Sequence, residues 1–95
     1  MLRISHLSVE YIKVPILKGP PELTDLPVSM AFLPEGQDPA TGDWETAVWL
    51  GQSAAALIGP GTDWPLVKGI TYGIWVRITS GPEAPLLGPF DLNIT

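Results

Sequence analysis

A single histidine, His6, limits the chemistry open to this chain. A Ser–His–Asp triad would have to use it, and no segment has the strand–turn–helix form of a nucleophile elbow. With no cysteine in the chain, zinc would rest on His6 and carboxylates alone, an uncommon ligand set. His6 therefore reads as a strand residue near the surface. Carboxylates gather loosely at Glu35, Asp38, Asp43 and Glu45, in PEGQDPATGDWE. Paired carboxylates serve glycoside hydrolysis and oxygen ligands hold calcium, but the D-x-D-x-D-G spacing is missing. The segment reads as a solvated acidic loop. GPGTDWP, Gly59 to Pro65, has glycines but no lysine for a phosphate cradle. Pro60-Gly61 is instead a natural tight turn. The residues point to no enzyme, no cofactor and no metal.

Composition narrows the class further. Ninety-five residues make one domain, here 1–95. A chain of this size buries roughly 60–65% of its unfolded surface, so it must stand on packing without disulfides. The net charge is −5, and Arg3, Lys13, Lys18, Lys68 and Arg77 are scattered. Nucleic acid and anionic membrane both need clustered positive charge, so neither is an expected partner. Charged residues are only 16% of the chain, against roughly 25% in typical soluble domains. Part of the surface is thus bland, or meets other protein. No apolar run reaches the roughly 18 residues of a membrane-spanning helix. The opening MLRISHLSVEYIKVPI alternates and carries charge, unlike a signal peptide.

The elements that would position any site read as strands. Eleven prolines and ten glycines cluster at KGPPE, LPEGQDPATG, GPGTDWP and SGPEAPLLGP. Between them lie short stretches rich in β-branched and aromatic residues, the punctuation of an all-β domain. Leu2 to Leu17 changes apolar phase twice, predicting kinks near Ser5–His6 and Tyr11–Ile12 and a strand that crosses from one sheet to the other. Pro15 suits an edge. Residues 1–26 form this strand or arm and its Pro-rich connection, and residues 27–95 form the body. PVSMAFLP should turn Val28, Met30 and Phe32 inward and Ser29 and Ala31 outward. WETAVWLG carries a large aromatic on both faces. SAAALIG reads as a strand. A short strand is expected around Trp64 to Val67, then KGITYGIWVRIT, then LLGPFDLNIT with Phe90, Leu92 and Ile94 in one phase.

Gly69, then Tyr72, then Ile74, Val76 and Ile78 at alternate positions describe a tyrosine corner. The Tyr72 hydroxyl would bond back to the preceding backbone, as in immunoglobulin-like and fibronectin III-like sandwiches. About seven strands and no helix make such an antiparallel sandwich the expected fold, with an OB-like or SH3-like barrel the alternative. Four tryptophans, at 44, 49, 64 and 75, are too many for the interior of so small a sandwich. Trp49, Trp64 and Trp75, with Tyr11, are therefore the candidate interface residues, because exposed aromatics mark protein interfaces or sugar platforms.

SVEYIKVPI, PVSMAFLPEGQDPATGDWETAVW, LIGPG and ITYGIWVRITSGPEAPLLGPFDLNIT together resemble small structural proteins of tailed bacteriophages that infect actinobacteria. The likeness covers most of the chain, and the W-V-R-I-T segment, the Pro-Glu-x-Pro turn and the Ile-Thr ending carry it. It implies a virion component, at the head (decoration) or the head–tail junction, assembled in the host cytoplasm. Its partners would be capsid, portal or connector proteins and copies of itself. Two readings stay open. One is a non-enzymatic virion subunit whose interface includes Trp49 or Trp75 and the N-terminal arm. The other is a ligand-binding sandwich, such as a carbohydrate-binding or adhesion domain, with tryptophans exposed in a row near Asp63 or Glu45.

Overall fold

Alternation becomes strand wherever a turn residue bounds it. The computed structural model describes residues 2–16, 25–79 and 84–95; the expected arm past Ile16 and the Pro-Glu turn at 82–83 lie outside the described residues. Eight strands follow in order: β1 (Leu2–Ile4), β2 (Glu10–Pro15), β3 (Val28–Pro34), β4 (Glu45–Thr46), β5 (Val48–Leu50), β6 (Ser53–Ile58), β7 (Thr71–Ile78) and β8 (Leu86–Ile94). They form a five-stranded sheet, β1-β8-β7-β3-β4, and a three-stranded sheet, β2-β6-β5. β1 runs parallel to β8, and every other pair is antiparallel. The described residues contain no α-helix; Thr41–Asp43 form one turn of 3-10 helix. The fold is all-β in two layers.

One apolar layer lies between the sheets. Ile12, Val14, Ala54, Ala56 and Ile58 of the smaller sheet meet Met30, Phe32, Tyr72, Ile74, Val76 and Leu92 of the larger. None of the described residues in this layer is polar or charged. Each large aliphatic side chain removed from water contributes about 1.5–3 kcal/mol, and no cross-link supplements this.

The chain changes sheets four times, between β1 and β2, β2 and β3, β4 and β5, and β6 and β7, and two of these crossings are abrupt. A turn at His6–Leu7, closed by Ser8 N–H donating to the Ser5 carbonyl at 3.0 Å, carries it from β1 to β2. This is the kink expected near Ser5–His6. Ala47, buried between β4 and β5, is the second abrupt crossing; its N–H donates to the Val28 carbonyl at 2.9 Å. The WETAVWL stretch is therefore two short strands in different sheets, not one. Nothing kinks at Tyr11–Ile12, where the β2–β6 register runs unbroken from Glu10↔Ile58 to Pro15↔Ser53. Leu7, Val9 and Tyr11 share a phase because all three are exposed. Pro15 ends β2, which is an edge strand.

One further expectation needs correction, and two hold in direction with an unexpected burial. Trp64 to Val67 is not a strand. Pro65 has no N–H for a ladder, and the Trp64 ring packs on Phe32 instead, with centroids 5.0 Å apart. Ala31 faces the outer side of its sheet yet is fully buried, because Trp75 lies directly across from it on β7. Phe90 keeps the inward phase, opposite Ile74, but is 44% exposed at the open side of the layer.

The corner at Tyr72 has the expected geometry. The buried Tyr72 hydroxyl accepts a hydrogen bond from Val67 N–H at 2.9 Å. Gly69, at φ 84°, occupies the left-handed region that glycine enters without steric cost. Its N–H donates to the Ile94 carbonyl at 2.6 Å. Between Pro60 and Thr62 the expected tight turn is present, with Thr62 N–H donating to Gly59 O at 3.2 Å. Gly59 itself packs so closely that a Cβ would strike the Ser8 carbonyl oxygen. Tyr72→Phe should therefore cost about 1 kcal/mol, the net value of one hydrogen bond. Gly59→Ala should cost more, about 2 kcal/mol or above, as a strained-backbone substitution. Urea unfolding with an unchanged slope would report both; equal midpoints for wild type and Tyr72→Phe would remove the corner bond from the stability argument.

Candidate protein-protein interface

Directly paired residues of an antiparallel ladder share a face. On the outer side of the three-stranded sheet this places Tyr11 beside Leu57, Lys13 beside Ala55 and Val48, and Pro15 beside Ser53 and Leu50. Tyr11, Val48, Leu50 and Leu57 are all exposed, at 48%, 46%, 38% and 38%. Lys13 is the one charge among these eight residues. An antiparallel sheet with one free face normally turns polar side chains outward; this one turns out an apolar face, the kind of surface that marks an interaction site.

The outer side of the five-stranded sheet is different. Trp75 faces Ala31 across the ladder, and the Arg77 guanidinium lies 4.6 Å from the centroid of the Trp44 ring. A cation over an indole face is an attractive pair. On this side Ala31, paired with Trp75, and Leu33 are both buried. One outer face buries Ala31 and Leu33; the other buries only Ala55 of its eight residues and leaves Tyr11, Val48, Leu50 and Leu57 exposed.

The four expected interface residues separate accordingly. Tyr11 is exposed on the bare face. Trp49 turns inward against the core and donates its Nε1–H to the Leu26 carbonyl at 2.9 Å. Trp64 also packs on the core. Trp75 is half-buried on the opposite sheet, with Nε1 enclosed and without a hydrogen-bond partner among the described residues. The tryptophans occupy different faces and form no row. Gly69 and Tyr72 sit at the corner as expected. Val48, Leu50 and Leu57 were missed as candidates, although apolar residues on both phases of β2, β5 and β6 signal a sheet that is apolar on both sides.

Two of the polar groups singled out above, His6 and Asp43, are engaged locally. His6 Nδ1 carries its proton and donates to the Thr95 carbonyl at 2.8 Å, tying the β1–β2 turn to the end of β8. Asp43 accepts a hydrogen bond from Ala40 N–H at 2.8 Å within its own turn. Among the described residues no three His, Asp or Glu side chains converge as metal ligands would. Beside the bare face lies a cleft of about 360 Å³, lined in part by Tyr11, Glu45, Val48, Asp63 and Trp64. A smaller one, about 140 Å³, lies along Trp75 with Glu35, Asp38 and Asp91 on its walls. The chain matches no known protein family, no curated protein and no solved structure.

One substitution at two sites tests these assignments. Trp49→Phe orphans the Leu26 carbonyl and should cost about 1–3 kcal/mol. Trp75→Phe removes a donor that has no partner, so its cost should be smaller, within about 1 kcal/mol. Thermal or urea unfolding of both variants reads the difference, and the reverse order would contradict the placement of the two indoles.

Proposed function

We propose that the chain is a non-enzymatic structural subunit that acts through protein–protein contacts, and that its fold is an immunoglobulin-like sandwich. The bare apolar face of the three-stranded sheet carries the functional reading. Exposing Tyr11, Val48, Leu50 and Leu57 together costs solubility unless another protein covers them. The sandwich assignment is supported by the strand order, the parallel pairing of the first strand on the last, and the hydroxyl bond of Tyr72. Placement in a tailed-phage virion, as head decoration or head–tail junction component, is supported by the sequence resemblance alone. Other virion proteins and further copies of this chain are the partners in this reading.

The cleft beside that face favours a second reading. Tyr11 and Trp64 with the carboxylates of Glu45 and Asp63 combine ring surface with hydrogen-bond acceptors, the two things a sugar needs. A ligand-binding module of the carbohydrate-binding or adhesion type would use this cleft rather than a tryptophan row.

Solution mass by light scattering across concentration separates the two. On the assembly reading, wild type forms a discrete oligomer, while Val48→Glu with Leu57→Glu has a lower mass and unfolds within about 0.5 kcal/mol of wild type, as exposed positions allow. If the double variant keeps the wild-type mass, the face is not the contact. On the ligand reading, glycans shift tryptophan emission through Trp64, and a flat response across a broad panel would end it.

A further inference from the structure

A different part of the molecule, the flank where both sheets end, carries an inference that stands apart from the bare face. β2 is the outermost strand of its sheet, and none of the described residues pairs with its outer edge. The direction of its main-chain groups follows from one bond. Ile16 N–H donates to the Gln52 carbonyl, toward β6. Alternate residues of an antiparallel strand face the same side. Glu10, Ile12 and Val14 therefore face β6, and Tyr11, Lys13 and Pro15 turn their main chain outward. The open edge offers the N–H groups of Tyr11 and Lys13 and the carbonyls of all three. Pro15 falls where its missing N–H breaks no internal bond.

The edge has an apolar cleft beside it. About 330 Å³ of space lies between β2 and the β7–β8 side of the other sheet, lined by Ile12, Val14, Pro15, Ile74 and Phe90, with Lys13 and Asp91. β1 pairs with only Leu92, Asn93 and Ile94 of β8. The Leu86–Asp91 part of β8 is thus open on the same side, and Leu86 and Phe90 are 51% and 44% exposed there.

We propose that this flank pairs with the same flank of a second copy, β2 against β2 antiparallel about a two-fold axis, so that two three-stranded sheets become one of six strands. The charges choose the occupant and the register. The flank carries the Lys13 cation together with the carboxylates of Glu10 and Asp91, so it holds both signs to pair with itself under a two-fold. Inward and outward faces stay matched only if the axis passes through a residue. An axis through Lys13 sets two ammonium groups side by side and spends one hydrogen bond per copy on Pro15. An axis through Ile12 sets each Lys13 beside the partner's Tyr11 ring, a favourable cation–aromatic pair. Both free N–H groups of each copy then meet partner carbonyls, and Phe90 gains cover. Lysine and proline are residues with which sheets blunt their edges. Here they select one register and end the ladder after a few pairs, which yields a closed dimer rather than a growing fibre.

The chain has no cysteine, so engineered thiols report the pairing directly. Tyr11→Cys and Lys13→Cys are prepared separately, since both positions are exposed, then mixed in equal amounts and mildly oxidised. The expected result is a disulfide dimer in the mixture about tenfold above either variant alone, because only that pair meets the Cα spacing a disulfide accepts. Light scattering on Val48→Glu with Leu57→Glu, which removes the face contact, should give a dimer mass. Lys13→Cys cross-linking alone as well as the mixture does, or a monomer at every concentration, would overturn the proposal. Val48→Glu with Leu57→Glu leaves the edge main chain untouched, so loss of face contacts and loss of edge pairing are read separately.

Discussion

Everything in this fold depends on one apolar layer shared by two unequal sheets. No disulfide ties them, and among the described residues no helix covers either. The small sheet contributes Ile12, Val14 and Ile58 around two alanines, Ala54 and Ala56. Against these small side chains the other sheet places its bulk, Met30, Phe32, Tyr72 and Ile74. Large against small lets the layers approach, and close packing is what makes dispersion add to the transfer of apolar surface from water. The loops then close the layer at its ends, with Trp49 and Trp64 packed against it.

The crossings follow from that need. Two sheets can share a core only if the chain passes between them without opening it. Ala47 is small enough to be buried at one passage, and its N–H is satisfied by Val28. At another, the turn after β1 is held by the His6 ring on the Thr95 carbonyl. The only histidine and the one inter-sheet alanine are thus structural joints.

Much of this was legible in the chain, and what was not has a physical cause. Strict alternation in Tyr72, Ile74, Val76 and Ile78 marks a strand with one buried face, and the structure has it. The hydroxyl bond of Tyr72 was legible because a turn glycine, a tyrosine and a strand fall at fixed offsets. The first sheet crossing was legible as a change of phase. The one at Ala47 was not, because Trp44 to Trp49 keeps a single phase while changing sheets there. Trp64 to Val67 has strand-like composition, but its aromatic found a partner in Phe32 before its backbone found a ladder. The bare face was hardest. Period two says which residues share a side; it does not say whether that side is covered. On the Trp75 side Ala31 and Leu33 are buried, whereas Val48 and Leu57 stay exposed on theirs.

The parallel pairing of β1 with β8 has a consequence in time. Leu2 lies opposite Leu92, and Ile4 opposite Ile94. Within this domain the first strand pairs with the last, so its ladder forms only once nearly the whole domain has been synthesised. Contacts so distant along the chain require costly loop closure before they return any energy, which slows folding. During that wait the apolar residues of β1 and β2 are in need of shielding.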